Sequence, residues 1–290
     1  MRPRTFEYFK ANSVADALQL LRSKDDAKVL AGGQSLLSLM KLRLAAPKVL
    51  VDINEIPELS NITEKDGSVV IGSMSRHDQV ARSHTIQNRL PLLADAASLI
   101  ADQQVRNRGT IGGSLVHADP AADFPTACKA LGATLTVMGA KGSRSISIES
   151  FFSDCFTTSL ERGEIVTEVR IPMPPAGSGG AYLKLNRGHN DFAIVAVGAQ
   201  LLLDNTLVCK EACVVLGGVA TTPVHATETE RALKGRKLDH NAIQDASDKA
   251  SNGLNPNSDL HASAEYRNRM TRSLTLKTLE LATKRSQGGQ

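Results

Sequence analysis

Long apolar runs are absent from this chain of 290 residues, and its aromatic content is only 3%. No stretch approaches the roughly 18 consecutive apolar residues that a membrane span needs. The 34 basic and 30 acidic residues are interspersed along the chain, without a basic block or an array of basic and aromatic residues. The sequence therefore predicts neither a membrane span nor a nucleic-acid partner.

The amino-terminal segment also lacks the features of a secretory leader. Arg2 and Arg4 are followed by mixed polar sequence and an amphipathic pattern. Neither an apolar core nor a small-residue cleavage site follows these arginines. We therefore expect a mature cytoplasmic protein.

Cysteine is scarce and not arranged for metal clusters or disulfides. The four cysteines are Cys128, Cys155, Cys209 and Cys213, and the two closest are four positions apart. Without a CxxC pair, this spacing matches neither a disulfide framework nor an iron–sulfur site. We expect all four to be buried small side chains in a reducing compartment.

Several well-known site motifs are missing as well. The sequence contains neither the GxGxxG of Rossmann folds nor the GxxxxGK[ST] of a P-loop, and no HExxH motif or nucleophile triad stands out. His117, Asp119 and Asp123 could each bind a metal, but Asp119 precedes a proline and predicts a turn. Since no further ligands complete a coordination shell, the sequence predicts no metal site.

Periodicity divides the chain into three pieces. Apolar residues at helical spacing behind Ser13 predict a first helix. It is followed by a strand within DDAKVLAGGQSLL that breaks at the glycines, and by a second strand at 48–53. Together they predict a βαβ-like opening unit with a glycine-rich turn at a strand end. The middle piece combines predicted strands at 68–74, 133–138, 144–148 and 164–171 with a helix over 90–105. A bend rich in proline and glycine over 172–180 precedes strands at 192–203 and 211–219 and helices at 227–235, 240–254 and 265–284. This order predicts an α+β fold with boundaries at 1–54, 55–176 and 177–290.

Two glycine pairs are the most informative local feature. AGGQSL at 31–36 resembles TIGGSL at 110–115, and the two lie in different predicted units. Loops of this kind offer successive main-chain N–H groups and a serine hydroxyl to phosphate oxygens. The alternative is a pair of ordinary turns. Two such loops on separate units favour a dinucleotide held between them.

The long motifs of the chain resemble one known family. AGGQSLLSLMKLR, QVRNRGTIGGSLVHADPAADFP, EIVTEVRIPMP and KLNRGHNDFAIVAV occur in order, with Phe151 and Phe152 between the second and third. They are similar to the FAD-binding medium subunits of molybdenum hydroxylases. That family includes the medium subunits of carbon monoxide dehydrogenase, quinoline oxidoreductase and nicotine dehydrogenase, and the flavin domain of xanthine dehydrogenase. The resemblance implies two FAD-binding subdomains of the vanillyl-alcohol-oxidase type, at 1–54 and 55–176, and a C-terminal α+β domain at 177–290.

The same resemblance implies a set of cofactor-binding residues. The loops would bind around the pyrophosphate, Asp123 would accept cofactor hydroxyls, Lys184 would lie at the cofactor, and Phe192 would stack on the flavin ring. Val166 is a further main-chain position near the flavin. The alternatives are a helix cap for Asp123, a solvated strand lysine for Lys184 and a core position for Phe192. The full set is Ala31, Gly32, Gly33, Gln34, Ser35, Thr110, Ile111, Gly112, Gly113, Ser114, Asp123, Val166, Lys184 and Phe192.

The resemblance also implies a function. The chain would bind FAD and carry electrons within an oxidoreductase complex. The FAD would be bound noncovalently, because no histidine or cysteine motif for covalent flavin attachment is present. Its partners would be a large molybdopterin subunit and a small subunit with [2Fe–2S] clusters, in a dimer of heterotrimers. Electrons would then pass to an external acceptor. The alternatives are a stand-alone flavin oxidase and a scaffold that has lost FAD.

Overall fold

The first unit of the fold is a small parallel sheet. A computed structural model describes residues 2–188 and 190–288. In order, its first elements are β1 (Glu7–Lys10), α1 (Val14–Ser23), β2 (Ala27–Leu30), α2 (Leu36–Lys41) and β3 (Val49–Asp52). The strands lie in the order β1-β3-β2, with both pairs parallel. The predicted βαβ-like unit is confirmed, with its glycine turn directly after β2.

Local chemistry explains helix α1. The Ser13 side chain accepts a hydrogen bond from the Asp16 N–H at 3.1 Å, which caps the helix start. Ala17 and Leu18 are buried against β3, in a core that includes Val49 and Val51. The helix therefore begins at a capping residue and is held by its apolar face.

The middle unit contains an antiparallel sheet covered by short helices. After a 3₁₀ turn at Pro57–Leu59 come β4 (Ile62–Lys65), β5 (Ser68–Gly72), α3 (His77–Arg82), α4 (His84–Arg89), α5 (Pro91–Ser98), α6 (Gln103–Arg106), α7 (Ile111–His117), α8 (Asp123–Ala130), β6 (Thr134–Gly139), β7 (Gly142–Ser147), α9 (Ile148–Phe151), β8 (Phe152–Asp154), β9 (Thr157–Thr158) and β10 (Ile165–Pro172). The strand order is β4-β5-β10-β6-β7, and β8 and β9 form a separate hairpin. Buried apolar residues of α5, α7 and α8 share one core with this sheet.

The prediction of a single helix over 90–105 is wrong, because the helical conformation is interrupted between α5 and α6. Ala101 has a left-handed φ of 40°, which no helix interior allows. The Asp102 side chain then accepts from the Val105 N–H at 2.8 Å and starts a new helix. Arg106 stabilises the break by donating to the carbonyls of Ile100 and Ala101 at 2.8 and 2.6 Å.

The C-terminal unit is a second antiparallel sheet beneath a long helix. Its elements are β11 (Ser178–Leu185), β12 (Val195–Leu203), β13 (Cys209–Gly217), β14 (Val224–His225), α10 (Thr227–Leu233), α11 (His240–Ser247) and α12 (Ala264–Ser286). The strands follow this order across the sheet. The predicted last helix is confirmed, whereas α11 ends earlier than the predicted 240–254. The strand predicted from 192 begins only at Val195.

The predicted bend over 172–180 is shorter than expected, because Gly179 and Gly180 belong to β11. A Cβ on Gly179 would overlap the Ala282 carbonyl oxygen and approach the Ser286 nitrogen to 2.5 Å. Glycine is therefore required here because helix α12 lies directly on the strand. The sequence pattern favoured a linker or an exposed bend, whereas these two glycines permit close packing.

The structure also gives the character of the helices and the burial of the cysteines. Within the described residues, no helix has both the length and the apolar character of a bilayer span. Cys128 and Cys209 are buried as predicted, whereas Cys155 and Cys213 are only half-buried. The expectation that all four cysteines are buried is therefore wrong.

The contact at Gly179 can be tested by adding one methyl group. We expect Gly179→Ala to lower the free energy of unfolding by about 2 to 3 kcal/mol, because the methyl would push α12 away from β11. Gly163→Ala is the control, since its Cβ would meet open space at a φ of 81° and should cost only about 1 kcal/mol. Urea unfolding of both variants measures the difference. Equal losses would mean that α12 is not tightly packed at Gly179.

Candidate functional site

The first glycine loop connects the end of β2 to the start of α2. Gly33 has a φ of 75°, a left-handed conformation that favours glycine. Among the described residues, no protein acceptor pairs with the main-chain N–H groups of Gly33, Gln34 or Ser35. Gln34 is exposed and Gly33 and Ser35 are half-buried. This loop therefore presents successive unpaired donors, as the anion-binding hypothesis requires.

The second glycine loop is built differently, as the first turn of helix α7. Thr110 caps the helix, its Oγ1 accepting from the Gly113 N–H at 3.1 Å. The N–H groups of Ile111 and Gly112 donate to the carbonyls of Ser75 and Ser73, and that of Ser114 donates to the Thr110 carbonyl. The expectation of successive free donors is therefore wrong for this loop.

Within each glycine pair, the two glycines occupy different environments. The first of each pair is buried, and an added Cβ would overlap Arg108 and Gly109 at Gly32, or the Ser73 backbone at Gly112. The second of each pair, Gly33 or Gly113, is half-buried. One glycine in each loop therefore serves packing, while the other lies where a ligand can approach.

The two loops are adjacent and are held by a polar link. Gly32 packs on the backbone of Arg108 and Gly109, directly before the second loop, and a Cβ added at Gly113 would lie 3.7 Å from the Cβ of Ala31. Asn54 donates to the Ala31 carbonyl at 2.7 Å and accepts from Arg76 at 2.7 Å. Arg76 also donates to the Arg108 carbonyl at 2.5 Å. This Asn54–Arg76 link joins the first loop to the segment that precedes the second.

Asp123 and Lys184 form one buried pair, although their motifs are 61 residues apart. The Lys184 Nζ lies 3.0 Å from Asp123 Oδ2, and both side chains are at most 5% exposed. The Tyr182 hydroxyl donates to Asp123 Oδ1 at 2.9 Å, and Lys184 also donates to the Leu99 carbonyl at 2.7 Å. Burial raises the pKa of Asp123, while the Lys184 ammonium opposes that rise. The pair ties α8 to β11.

This buried pair rules out the alternative roles considered for Lys184 and Asp123. Lys184 is not a solvated strand lysine, because its side chain is 2% exposed. The cap of α8 is Ala122, and Asp123 is the first helical residue, so its carboxylate is not an N-cap. Each carboxylate oxygen keeps a further lone pair, so a cofactor hydroxyl could join this network without displacing Tyr182 or Lys184.

Phe192 and Val166 lie in contrasting surroundings. Phe192 is 62% exposed and lines a cavity of about 320 Å³, so the core alternative for this residue is wrong. The cavity is also bordered by Arg187, His261 and Arg267, whereas the glycine loops lie outside its lining. Val166 is a buried core residue of β10 beside a register shift. The structure thus brings the two loops together and joins Asp123 to Lys184, but keeps Phe192 outside both groups.

Comparisons with known proteins identify the family. The FAD binding domain in molybdopterin dehydrogenase matches residues 4–174, and the C-terminal domain of CO dehydrogenase flavoproteins matches residues 180–282. The chain belongs to this flavoprotein family. The predicted resemblance, the α+β fold class and FAD as the cofactor are therefore confirmed, and the protein is an oxidoreductase subunit.

Individual relatives span nearly the whole chain. The alpha subunit of the 6-hydroxypseudooxynicotine dehydrogenase complex from Paenarthrobacter nicotinovorans is 40% identical and covers 99% of this chain and 97% of its own. The carbon monoxide dehydrogenase medium chain from Hydrogenophaga pseudoflava is also 40% identical, with 97% and 98% covered.

Solved structures agree over the same length. A carbon monoxide dehydrogenase structure from Hydrogenophaga pseudoflava, lacking the Mo-pyranopterin moiety of its cofactor, matches with a TM-score of 0.94 at 41% identity, covering 98% of this chain and 99% of that one. Quinoline 2-oxidoreductase from Pseudomonas putida 86 matches with a TM-score of 0.94 at 33% identity, covering 99% of both chains.

The glycine loops of this flavoprotein fit an FAD pyrophosphate. The first loop supplies unpaired N–H donors, and a side chain at Gly33 would be strained and would press on Leu37. At Gly113, the half-buried glycine of the second loop, an added Cβ would press on the Thr110 hydroxyl at 2.7 Å and approach Ala31 to 3.7 Å, so only glycine leaves space there. Unpaired donors on the first loop, with a glycine of the second loop beside them, suit a diphosphate lying next to both loops.

Three buried polar residues beneath the second loop were not identified from the sequence. Ser73 Oγ, Ser75 Oγ and His77 Nδ1 have no hydrogen-bond partner among the described residues, and all three side chains are buried. Gly112 packs on Ser73, and Gly109 packs on the His77 ring. No motif marks this segment, and only the fold brings it against the glycine loop.

The metal-capable residues near this loop do not converge. Asp119 accepts from the Ala121 N–H at 2.9 Å, which confirms the predicted turn. His117 packs on Phe156 with ring centroids 5.1 Å apart, and Asp123 pairs with Lys184. These three side chains have separate partners.

His77 should make stability depend on pH. Burial lowers the pKa of His77 from the ordinary 6.5 to about 4. Between these values the unfolded chain binds a proton that the folded chain does not, so stability falls as pH decreases. We expect the free energy of unfolding to drop by about 2 kcal/mol between pH 7 and pH 5 through this residue.

Substitution separates this effect from other titrations. We expect His77→Gln to remove most of that drop, whereas His84→Gln, at an exposed position, should leave it unchanged. Urea unfolding of each variant at both pH values gives the comparison. A pH dependence unaltered by His77→Gln would show that this imidazole is not excluded from water.

Proposed function

We propose that this chain is the FAD-binding electron-transfer subunit of a cytoplasmic molybdenum hydroxylase complex. Electrons would arrive from the [2Fe–2S] clusters of a small partner subunit and leave to an external acceptor. A large molybdopterin subunit would complete the complex, as a dimer of heterotrimers. The observation that carries this proposal is that the two glycine loops are adjacent, with unpaired N–H donors on the first.

The cysteines support the division of labour between subunits. All four are free, and the two buried ones, Cys128 and Cys209, lie in different cores. A [2Fe–2S] cluster needs four thiolates at one place, so the electron source must lie on another chain. Free thiols also fit a reducing compartment such as the cytoplasm. Relatives named as medium chains or complex subunits support the same assignment.

Noncovalent FAD would be held at the join of two subdomains. We place their boundaries at 1–54 and 55–176, with a C-terminal domain at 177–290. Gly33, Gln34 and Ser35 would donate main-chain N–H groups to the pyrophosphate, while Gly113 and Ser114 would border it from the second loop. The other loop residues would keep the two loops in their conformation, because their backbone groups already pack against or hydrogen-bond to the protein: Ala31, Gly32, Thr110, Ile111 and Gly112.

The remaining site residues would act toward the flavin end of the cofactor. The Asp123–Lys184 pair would receive a cofactor hydroxyl and supply a fixed positive charge, and the exposed ring of Phe192 would offer an aromatic face. Val166 would contribute through the backbone of β10. When bound, FAD supplies the chemistry that links one-electron and two-electron transfer.

FAD binding can be tested through the first loop. We expect Gly33→Ala to weaken FAD binding by about tenfold or more, because alanine is strained at this φ and relieving the strain would turn the N–H donors away. Flavin fluorescence titration of the apoprotein measures the affinity. In the unaltered chain, acid precipitation should release the flavin into solution; flavin retained in the pellet would contradict noncovalent binding.

A matched control exists for this variant. Gly67 has a φ of 70°, close to the 75° of Gly33, but its Cβ would meet open space in the β4–β5 turn. Gly67→Ala therefore carries a similar backbone strain away from the loops. We expect it to lower stability without changing FAD affinity. Equal affinity losses in both variants would show that the effect is one of general stability and would remove the first loop from the site.

The electron-transfer role predicts a dependence on partners. We expect the isolated FAD-loaded chain not to be reduced by a hydroxylatable substrate, although dithionite should bleach its flavin absorbance. Addition of the cluster and molybdopterin subunits should restore bleaching by substrate, because electrons then have a route to the flavin. Anaerobic absorbance at the flavin bands measures each combination. Rapid bleaching of this chain alone would overturn the proposal and favour a stand-alone flavin oxidase.

A further inference from the structure

A cluster of metal-capable side chains lies in the C-terminal unit, on residues that the cofactor site does not use. Cys213 Sγ, one ring nitrogen of His225 and one carboxylate oxygen of Glu230 all lie within 4.8 Å of one another. His225 Nδ1 is 2.9 Å from Glu230 Oε1 and 3.9 Å from Cys213 Sγ. Sulfur, nitrogen and oxygen ligands therefore converge on one edge of the imidazole ring.

The sheet determines this convergence. His225 pairs with Val215 across β13 and β14, which makes Cys213 its diagonal neighbour on the same face. Glu230 stands in the first turns of α10, and its Oε1 accepts from the Val214 N–H at 2.8 Å. All three ligands are therefore fixed by backbone elements. None depends on a long mobile loop.

The other ring nitrogen of the histidine has a carboxylate partner. His225 Nε2 lies 3.1 and 3.2 Å from the two oxygens of Glu149, at the start of α9. Lys129 lies 3.3 Å from Glu149 and balances its charge. A carboxylate on the second nitrogen is typical of metal-binding histidines, because it fixes the tautomer and leaves the first nitrogen free to coordinate.

We propose that Cys213, His225 and Glu230 form a zinc-binding site. Thiolate, imidazole and carboxylate are the ligands that Zn²⁺ takes in proteins, with bond lengths of about 2.0 to 2.3 Å. Three atoms at the separations found here can surround one such ion after small side-chain rotations. All three residues are half-buried, so a water molecule from solvent would supply the fourth ligand.

Zinc binding at this site releases protons and joins two units of the fold. The Cys213 thiol loses its proton to solvent as the sulfur–zinc bond forms, and His225 loses to solvent the Nδ1 proton that it donates to Glu230 as the nitrogen–zinc bond forms. Glu149 belongs to the middle unit, whereas the three ligands belong to the C-terminal unit. Zinc would therefore strengthen the contact between these units. The alternative is a simple ion pair in which Cys213 has no part.

Cobalt substitution tests whether the sulfur binds a metal. The full chain is stripped with a chelator and titrated with Co²⁺, whose thiolate complexes give a charge-transfer band in the near ultraviolet. We expect this band at one equivalent in the unaltered chain, and its loss on addition of Zn²⁺. Cys155→Ser should keep the band, because Cys155 is half-buried outside the cluster. Absence of the band in the unaltered chain would overturn the proposal.

Variants then assign the ligands by zinc affinity, measured by competition with a chromophoric chelator. We expect Cys213→Ser and His225→Gln to weaken Zn²⁺ binding by at least about tenfold, and Glu149→Gln to weaken it by about 10-fold to 100-fold as an outer partner. Circular dichroism checks that each variant is folded. Affinities unchanged in folded Cys213→Ser and Glu149→Gln would mean an adventitious ion only. None of these readouts depends on FAD.

Discussion

The contact between the two glycine loops constrains the rest of the molecule. Gly32 packs against Arg108 and Gly109 without room for a side chain, so the parallel sheet and the helical part of the middle unit meet at backbone distance. The Asn54–Arg76 link holds the same contact through one amide hydrogen bond and two charge-assisted hydrogen bonds from Arg76. Because each loop adjoins a strand or a helix, the relative positions of the two units are set at the place proposed for the cofactor. In this proposal, FAD binding and subdomain packing share one surface.

Buried polar links fix the third unit to the other two. The Asp123–Lys184 pair joins α8 to β11, and the Arg285 guanidinium, near the end of α12, donates to both oxygens of Asp95 in α5. Isolated buried charges are expensive, but here each charge has a partner and a further hydrogen bond. Such pairs specify one geometry more than they add stability. Together with the close approach at Gly179, they leave α12 little freedom relative to the middle unit.

Local patterns in the sequence were sufficient for the α+β class, the opening parallel unit, the last helix and the position of the first glycine loop, because capping residues, apolar periodicity and glycine pairs act over a few residues. The break at Ala101 was missed because a single left-handed residue leaves no pattern. The different environments of Gly32 and Gly33 could not be predicted from the sequence either, because the residue that packs on Gly32 is Arg108, which is distant in the sequence. The same limit explains why Asp123 and Lys184 were assigned separately. Burial by distant segments decides all three cases, and one sequence carries no direct signal for it.

Buried polar atoms without a partner occur at two main places among the described residues, beneath the second loop and along α12, where Arg267, Asn268, Thr275 and Thr283 each have one. Ser73, Ser75 and His77 lie beneath the second loop, and the free N–H donors lie on the first. A buried polar atom without a partner costs on the order of 1 to 3 kcal/mol, so a cluster of them would be eliminated if stability alone determined the sequence. Buried polar groups lack hydrogen-bond partners most often at sites where a protein binds a ligand. Part of the energetic cost therefore lies beside the contact of the two loops, where a ligand bound at the proposed cofactor site would offset it, and the packed cores on either side carry the stability that permits it.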